Sequence, residues 1–205
     1  MIDYSSLPYR VEPMRLPDLD AVMDIEIASF SAPWSARAYD YELQHNAMAH
    51  YYIVRSQAFP PPVAPARPFW QRWFARAETI VLPNGHDPIV GYGGFWMMAD
   101  EAHISTIASH PDWRRRGVGE LLLLAMIESA DTLGAHMVTL EVRVSNQLAQ
   151  TLYHKYGFKI AGERKNYYSD NGENAFIMTT PPIGTLEFQQ RVQNLKARLF
   201  ARLSR

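Results

Sequence analysis

The segment His110-Pro-Asp-Trp-Arg-Arg-Arg-Gly-Val-Gly-Glu120 joins a short strand-like run to a long run of helical apolar periodicity, so it reads as a strand-to-helix turn. The first backbone N–H groups of a helix find no partner within it, which makes such a turn a natural seat for an anion. Gly117 and Gly119 lack Cβ atoms, so a phosphate can approach the main chain, while Arg114, Arg115 and Arg116 add guanidinium donors. A pyrophosphate would use both features. The alternative is a solvated helix start with two turn glycines. A dinucleotide fingerprint needs three glycines and an acid after the next strand, and a P-loop needs Gly-Lys-Ser/Thr; neither pattern is present.

Downstream, Glu141 interrupts the apolar run Met137-Val-Thr-Leu-Glu-Val142. Partial burial there raises a carboxyl toward the range useful for a general base, acting directly or through one water. Pairing with Arg143 or capping a sheet edge is the other reading. Tyr153 is a phenol that could protonate a departing thiolate, or simply fill the core between helix and sheet. Ser145 and Asn146 suit the N-cap of the helix that carries Tyr153. The chain has no cysteine, which removes disulfides, thiolate metal sites and a Cys-linked acyl-enzyme, and suits a reducing cytosol. His103, His110 and His136 have no metal-site spacing and read as surface or satisfied core residues.

These residues need a scaffold. Apolar residues at helical spacing predict a first helix from Pro17 to Phe30, and Ser35 caps a second that runs to about Gln44. His50 to Arg55 reads as a strand. Ile89 to Met97 and Glu101 to Ala108 form a hairpin around Ala99-Asp100, followed by a long helix from Arg115 to Leu133 that Gly134 closes. The strand at Met137, a short helix to Tyr156 and a hairpin turning at Asp170-Asn171-Gly172 complete an order α-α-β-β-β-α-β-α-β-β. Between about 56 and 88 a proline-rich stretch cannot be central sheet and reads as an insertion, with Phe69 to Arg76 as one or two aromatic- and arginine-rich helical turns. This gives one domain over 1–183 and, over 184–205, a helix whose apolar stripe is Phe188, Val192, Leu195 and Leu199. Its outer face is basic, with Arg191, Lys196, Arg198, Arg202 and Arg205 against Glu187.

With 205 residues, 47% hydrophobic content and a formal net charge of −1, the chain has a globular composition and no overall pull toward nucleic acid or an anionic membrane. No run of about 18 apolar residues occurs, and the N-terminus has no basic region followed by an apolar one, so a soluble, unexported, cytoplasmic protein is expected.

Arg-Arg-x-Gly-x-Gly after a strand resembles the coenzyme A loop of the GNAT superfamily of N-acetyltransferases. Leu140-Glu-Val-Arg-Val-Ser-Asn146, Leu152-Tyr-His-Lys-Tyr-Gly-Phe158, Arg164-Lys-Asn-Tyr-Tyr168 and Phe30-Ser-Ala-Pro-Trp-Ser35 are similar to its RimI-like branch, the ribosomal-protein alanine N-acetyltransferases. The likeness spans about 10–55 and 89–180, not the insertion or the tail helix. It implies an α+β, three-layer fold with a mixed, mostly antiparallel sheet flanked by helices and a splayed central strand pair at the cofactor site. It implies acetyl-CoA as co-substrate, without a metal. Arg114, Arg115, Arg116, Gly117, Val118, Gly119 and Glu120 are then assigned to the pyrophosphate, the main chain of Ile107, Ala108 and Ser109 to the pantetheine arm, and Asn146 to the cofactor. Glu141 becomes the base and Tyr153 the proton donor. Trp34, Tyr167 and Tyr168 wall a slot for a protein N-terminus, a small-subunit ribosomal protein leading. A small-molecule amine or antibiotic acetyltransferase and a non-catalytic CoA-binding module are the competing readings; nucleic acid and membrane are not required, and oligomeric state is not legible.

Overall fold

The structure, a computed structural model, describes residue 4 and residues 6–57 and 87–204. The core of the proline-rich stretch, including the turns expected at Phe69 to Arg76, lies outside the described residues, as does Arg205.

Among the described residues, seven strands make one sheet in the order β1-β2-β3-β4-β5-β7-β6: β1 (Tyr9–Pro13), β2 (Ala49–Ser56), β3 (Ile89–Met98), β4 (Glu101–Ser109), β5 (Met137–Arg143), β6 (Lys159–Tyr168) and β7 (Glu173–Thr179). Strand β1 was not foreseen as a strand; it pairs antiparallel with β2 from Tyr9↔Ser56 to Pro13↔Tyr52 and tolerates Pro13 at its end because it is the sheet's edge. Among the described residues, five α-helices flank the sheet: α1 (Leu19–Ser29), α2 (Ala36–His45), α3 (Val118–Thr132), α4 (Gln147–Lys155) and α5 (Leu186–Leu203).

Strand alternation separates two cores. Tyr51 and Ile53 of β2 pack with Val22, Ile25 and Tyr39 of α1 and α2, whereas Tyr52 and Val54 pack with the cluster built around α3. Helix α3 buries Leu121, Leu122, Leu123 and Leu124 completely, a pattern that only a helix covered on nearly every side can sustain. Its outer cover is α5, whose stripe of Phe188, Val192, Leu195 and Leu199 belongs to the same cluster. The tail is not uniformly basic outward: Lys196 pairs with Glu128 at 2.9 Å and Arg202 with Glu120 at 2.7 Å, both acids on α3.

The one parallel pair among the described strands, β4 with β5, is short. Its register runs only from Glu101↔Met137 to Ile104↔Leu140, although β4 continues to Ser109 and β5 to Arg143. Where the pairing stops, β4 pairs irregularly with β3 between Gly94 and Phe95. A second irregularity, between Arg164 and Tyr168 of β6, includes Asn166 at φ 52 and resets the hairpin end that bears Tyr167 and Tyr168. The two strands thus open into a V whose arms hold the residues of chemical interest.

Candidate active site

Helix α3 begins at Val118, not Arg115, because Arg115 has φ 60 and Gly117 φ 87, outside helical values. Leu121 N–H is the first to close on the helix, donating to Gly117 O at 2.8 Å, so the N–H groups of residues 118–120 precede the intrahelical ladder. A cavity of about 530 Å³ opens at this mouth, lined by Arg114, Arg115, Gly117, Gly119, Asn146 and, from the tail, Arg202. The two glycines differ. A Cβ on Gly117 would lie 2.9 Å from Leu203 Cδ2 and 3.2 Å from Arg202, while one on Gly119 would meet only Ser109 Oγ at 3.5 Å. Packing explains Gly117; Gly119 faces open space suited to a ligand.

Arg114 reaches Ser109 O at 3.4 Å and Ser29 Oγ at 3.3 Å on the cavity rim. Ile107, Ala108 and Ser109 line it from β4, along with Glu120. Two of the residues assigned to the pyrophosphate do not line it. Arg116 is laid over the Trp113 ring, 5.3 Å from its centroid, and the Val118 side chain is buried in the core. The Glu120 carboxylate is not free for other work: Lys155, Arg202 and the Tyr156 hydroxyl all donate to it. Burial pushes its pKa up, but Lys155 and Arg202 outweigh that, and the net shift is downward.

On the other side of the V lies a second cavity, of about 440 Å³. Trp34, Tyr167 and Tyr168 all line it, and Glu141 and Tyr153 come with them. Ser35 caps α2 as expected, its hydroxyl accepting from Ala38 N–H, and the loop before it carries Trp34. Trp34 stacks on Trp96 at 5.9 Å with planes 22° apart, and Trp96 on His103 at 6.1 Å with planes 13° apart. Tyr167 and Tyr168 meet edge to face at 5.2 Å, with the Arg143 guanidinium 3.8 Å above Tyr168. Arg143 also holds Asp170 at 2.9 Å and Glu173 at 3.1 Å, fixing the β6–β7 hairpin against β5. It therefore does not pair with Glu141.

The side chain of Glu141 is 6% exposed, with His103 Nε2 2.9 Å from Oε2 and Arg164 Nε 3.0 Å from Oε1. The expected upward pKa shift is overturned. Burial does push the carboxyl up, but the hydrogen bond and charge of His103, with Arg164, hold it below the usual carboxylate range. Tyr153 is buried on α4, and burial pushes its phenol well above the ordinary tyrosine value. Asn146 caps α4 by accepting from Ala149 N–H at 3.1 Å, and, like Tyr153 and Ile107, it lines both cavities. The cavities therefore meet at the throat formed by Ile107, Asn146 and Tyr153.

The sequence did not single out four participants. His103 was read as a surface or core histidine and stands in the cleft. Trp96 donates from Nε1 to Glu42 at 2.7 Å and joins the aromatic row. Glu26, 2% exposed, lines the cleft and accepts from Trp34 N–H at 2.7 Å and the Tyr39 hydroxyl at 3.1 Å; burial raises its pKa despite both bonds. Arg202 reaches the cofactor-side cavity from the tail. Of the three acids in α1, Glu26 alone falls on the buried face, next to Ile25 and four residues after Val22, and that position was the signal available for it; the other three depend on tertiary placement. Among the described residues no cluster of three His, Asp or Glu side chains is placed to hold a metal.

The family model for the acetyltransferase (GNAT) family matches residues 19–158. A Bacillus subtilis protein provisionally named a ribosomal protein bS18-alanine N-acetyltransferase is 38% identical over 168 residues, spanning 82% of this chain and 92% of that one. The crystal structure of the ribosomal-protein-S18-alanine N-acetyltransferase from Escherichia coli superimposes with a TM-score of 0.63 at 26% identity, over 85% of this chain and 94% of its own. The NatC complex bound to Gag peptide and CoA shares the fold, with a TM-score of 0.63 at 18% identity over 85% of this chain and 99% of its own.

Proposed function

The chain belongs to the acetyltransferase (GNAT) family, and from that premise we propose that it moves acetyl from acetyl-CoA to the α-amine of a protein N-terminus, a small-subunit ribosomal protein beginning with alanine being the leading acceptor. One observation carries this reading: an anion-suited helix mouth and an aromatic cleft with a buried carboxylate meet at a single throat.

Bound acetyl-CoA would supply an activated acyl carbon and a thiolate leaving group. Its phosphates suit the α3 N-terminus, where the open side of Gly119, Arg114, Arg115 and the tail's Arg202 converge. The stretch of β4 from Ile107 to Ser109 stays paired with β3 on one edge but has left β5 on the other, and main-chain groups on that open edge can serve the pantetheine arm. An α-amine has a pKa of about 7.7–8.0 and is mostly protonated at neutral pH, so its proton must leave before the nitrogen can attack. Glu141 marks the end of the cleft where that proton is withdrawn. Tyr153, at the throat, returns one to the departing sulfur. Trp34, Tyr167 and Tyr168 exclude water from the amine and favour its neutral form.

The test is incubation of the protein with acetyl-CoA and peptides differing in their first residue, beside lysine-bearing and polyamine acceptors, followed by mass-spectrometric mapping of the modified nitrogen. Acetylation of the α-amine, strongest on peptides that begin with alanine, is the expected result. Acetylation confined to polyamines or side chains would replace this reading with a small-amine one.

A further inference from the structure

We propose that the proton leaving the acceptor amine is carried by a His103–Glu141 pair, with the imidazole as acceptor and the carboxylate as its electrostatic partner; this rests on reading the aromatic cleft as the acceptor site. Both Glu141 oxygens already receive a donor, Oε2 from His103 at 2.9 Å and Oε1 from Arg164 at 3.0 Å. A proton delivered directly to Glu141 would cost one of these contacts. Its pKa, held below the usual range, agrees with that. Imidazole is the side chain suited to exchanging a proton near neutrality, and its cationic form is stabilised by an adjacent carboxylate.

The ring is positioned from two directions. Its Nε2 points to Glu141, and its face lies against Trp96, which Trp34 covers and Glu42 pins through Nε1. At 15% side-chain exposure it lines the cleft without being sealed away. The titratable and charged groups around it are Glu141 on β5, Arg164 and Tyr167 on β6, and, behind the tryptophans, Glu26 and Glu42 on α1 and α2. In the step, an N–H bond of the ammonium breaks, its electron pair stays on the amine nitrogen, and an N–H bond forms at Nδ1 of the imidazole, because Nε2 already carries the proton it shares with Glu141. Water takes that proton once product has left.

Four forms of the full-length chain decide the matter: wild type, His103→Gln, His103→Phe and Glu141→Gln. Glutamine keeps an N–H for Glu141, and phenylalanine keeps a ring against Trp96, so neither removes the structural role entirely. With acetyl-CoA and an alanine-first peptide, both His103 variants are expected to lose about a hundredfold in kcat and the acid limb of the pH profile, leaving KM for acetyl-CoA unchanged. Glu141→Gln should move that limb to lower pH. A His103→Gln enzyme within about twofold of wild type across the pH range would overturn the proposal. Independently of any acceptor, NMR should show the His103 Nε2–H proton moved downfield by its bond to Glu141 and moved back in Glu141→Gln, and an unmoved proton would also overturn it. If no peptide is acetylated on its α-amine, the acceptor reading fails, while the NMR result still decides the pair.

Discussion

Arg202, in the last turn of α5, donates to Oε2 of Glu120, in the first turn of α3, at 2.7 Å. The last helix thereby brings a cation to the rim of the proposed phosphate seat, beyond the span 19–158 that the family model matches. Because the Arg202 side chain is 55% exposed, its pair with Glu120 contributes at most about 1 kcal/mol to stability. Arg202→Ala should therefore lower the melting temperature only slightly while weakening coenzyme A binding roughly fivefold by calorimetry. Unchanged affinity would confine Arg202 to bracing Glu120.

Two glycines two residues apart should respond in opposite ways. Gly117→Ala meets both a φ of 87 and the side chains of Leu203 and Arg202, and is expected to cost about 1–3 kcal/mol in chemical denaturation. Gly119→Ala meets only Ser109 Oγ at 3.5 Å and gains helix propensity, so stability should hold or rise while coenzyme A affinity falls about tenfold. Equal affinity in Gly119→Ala and wild type would remove the phosphate from that spot.

Tyr153→Phe tests the throat. The phenol is buried and held in its protonated form far above neutrality, so the variant should fold normally and lose about a hundredfold in kcat, with little change in either KM. A variant with wild-type kcat would make Tyr153 a packing residue.

Glu26 gives a pH signature in stability. Its folded-state pKa is raised, so its contribution is full below the ordinary carboxylate range and is lost as pH rises through the raised value. Glutamine can still accept from Trp34 N–H. Glu26→Gln should accordingly melt above wild type at pH 8, and the difference should vanish below about pH 4, where the unfolded carboxyl is also protonated. A lower melting point at pH 8 would show that the charge itself is needed.

What the sequence revealed was mostly local. Ser35 and Asn146 announce helix starts because their side chains cap the following turn. The glycines and arginines at 114–119 announce an anion seat because a helix mouth has the same chemistry in any fold. What it hid was set by register. His103 meets Glu141 only because β4 and β5 run parallel and in step, with His103 opposite Thr139, before they part. The charge state of Glu141 could not be judged without knowing that two donors would arrive from β4 and β6, one of them from a strand beyond β7. Helix α3 was expected to begin three residues early because the positive φ of Arg115 leaves no mark in residue type. Strand β1 was missed for a related reason: five residues at an edge, ending in proline, gain their identity only from β2.

The parting of β4 from β5 leaves an internal seam in an otherwise continuous sheet, with a missing rung from Ser105 onward. An extended ligand arm seated there would act as a surrogate strand and complete the ladder across the seam. Occupancy should then show as slowed amide exchange along 105–109 and as a melting temperature that climbs with ligand concentration, making the bound co-substrate a temporary part of the protein's own architecture.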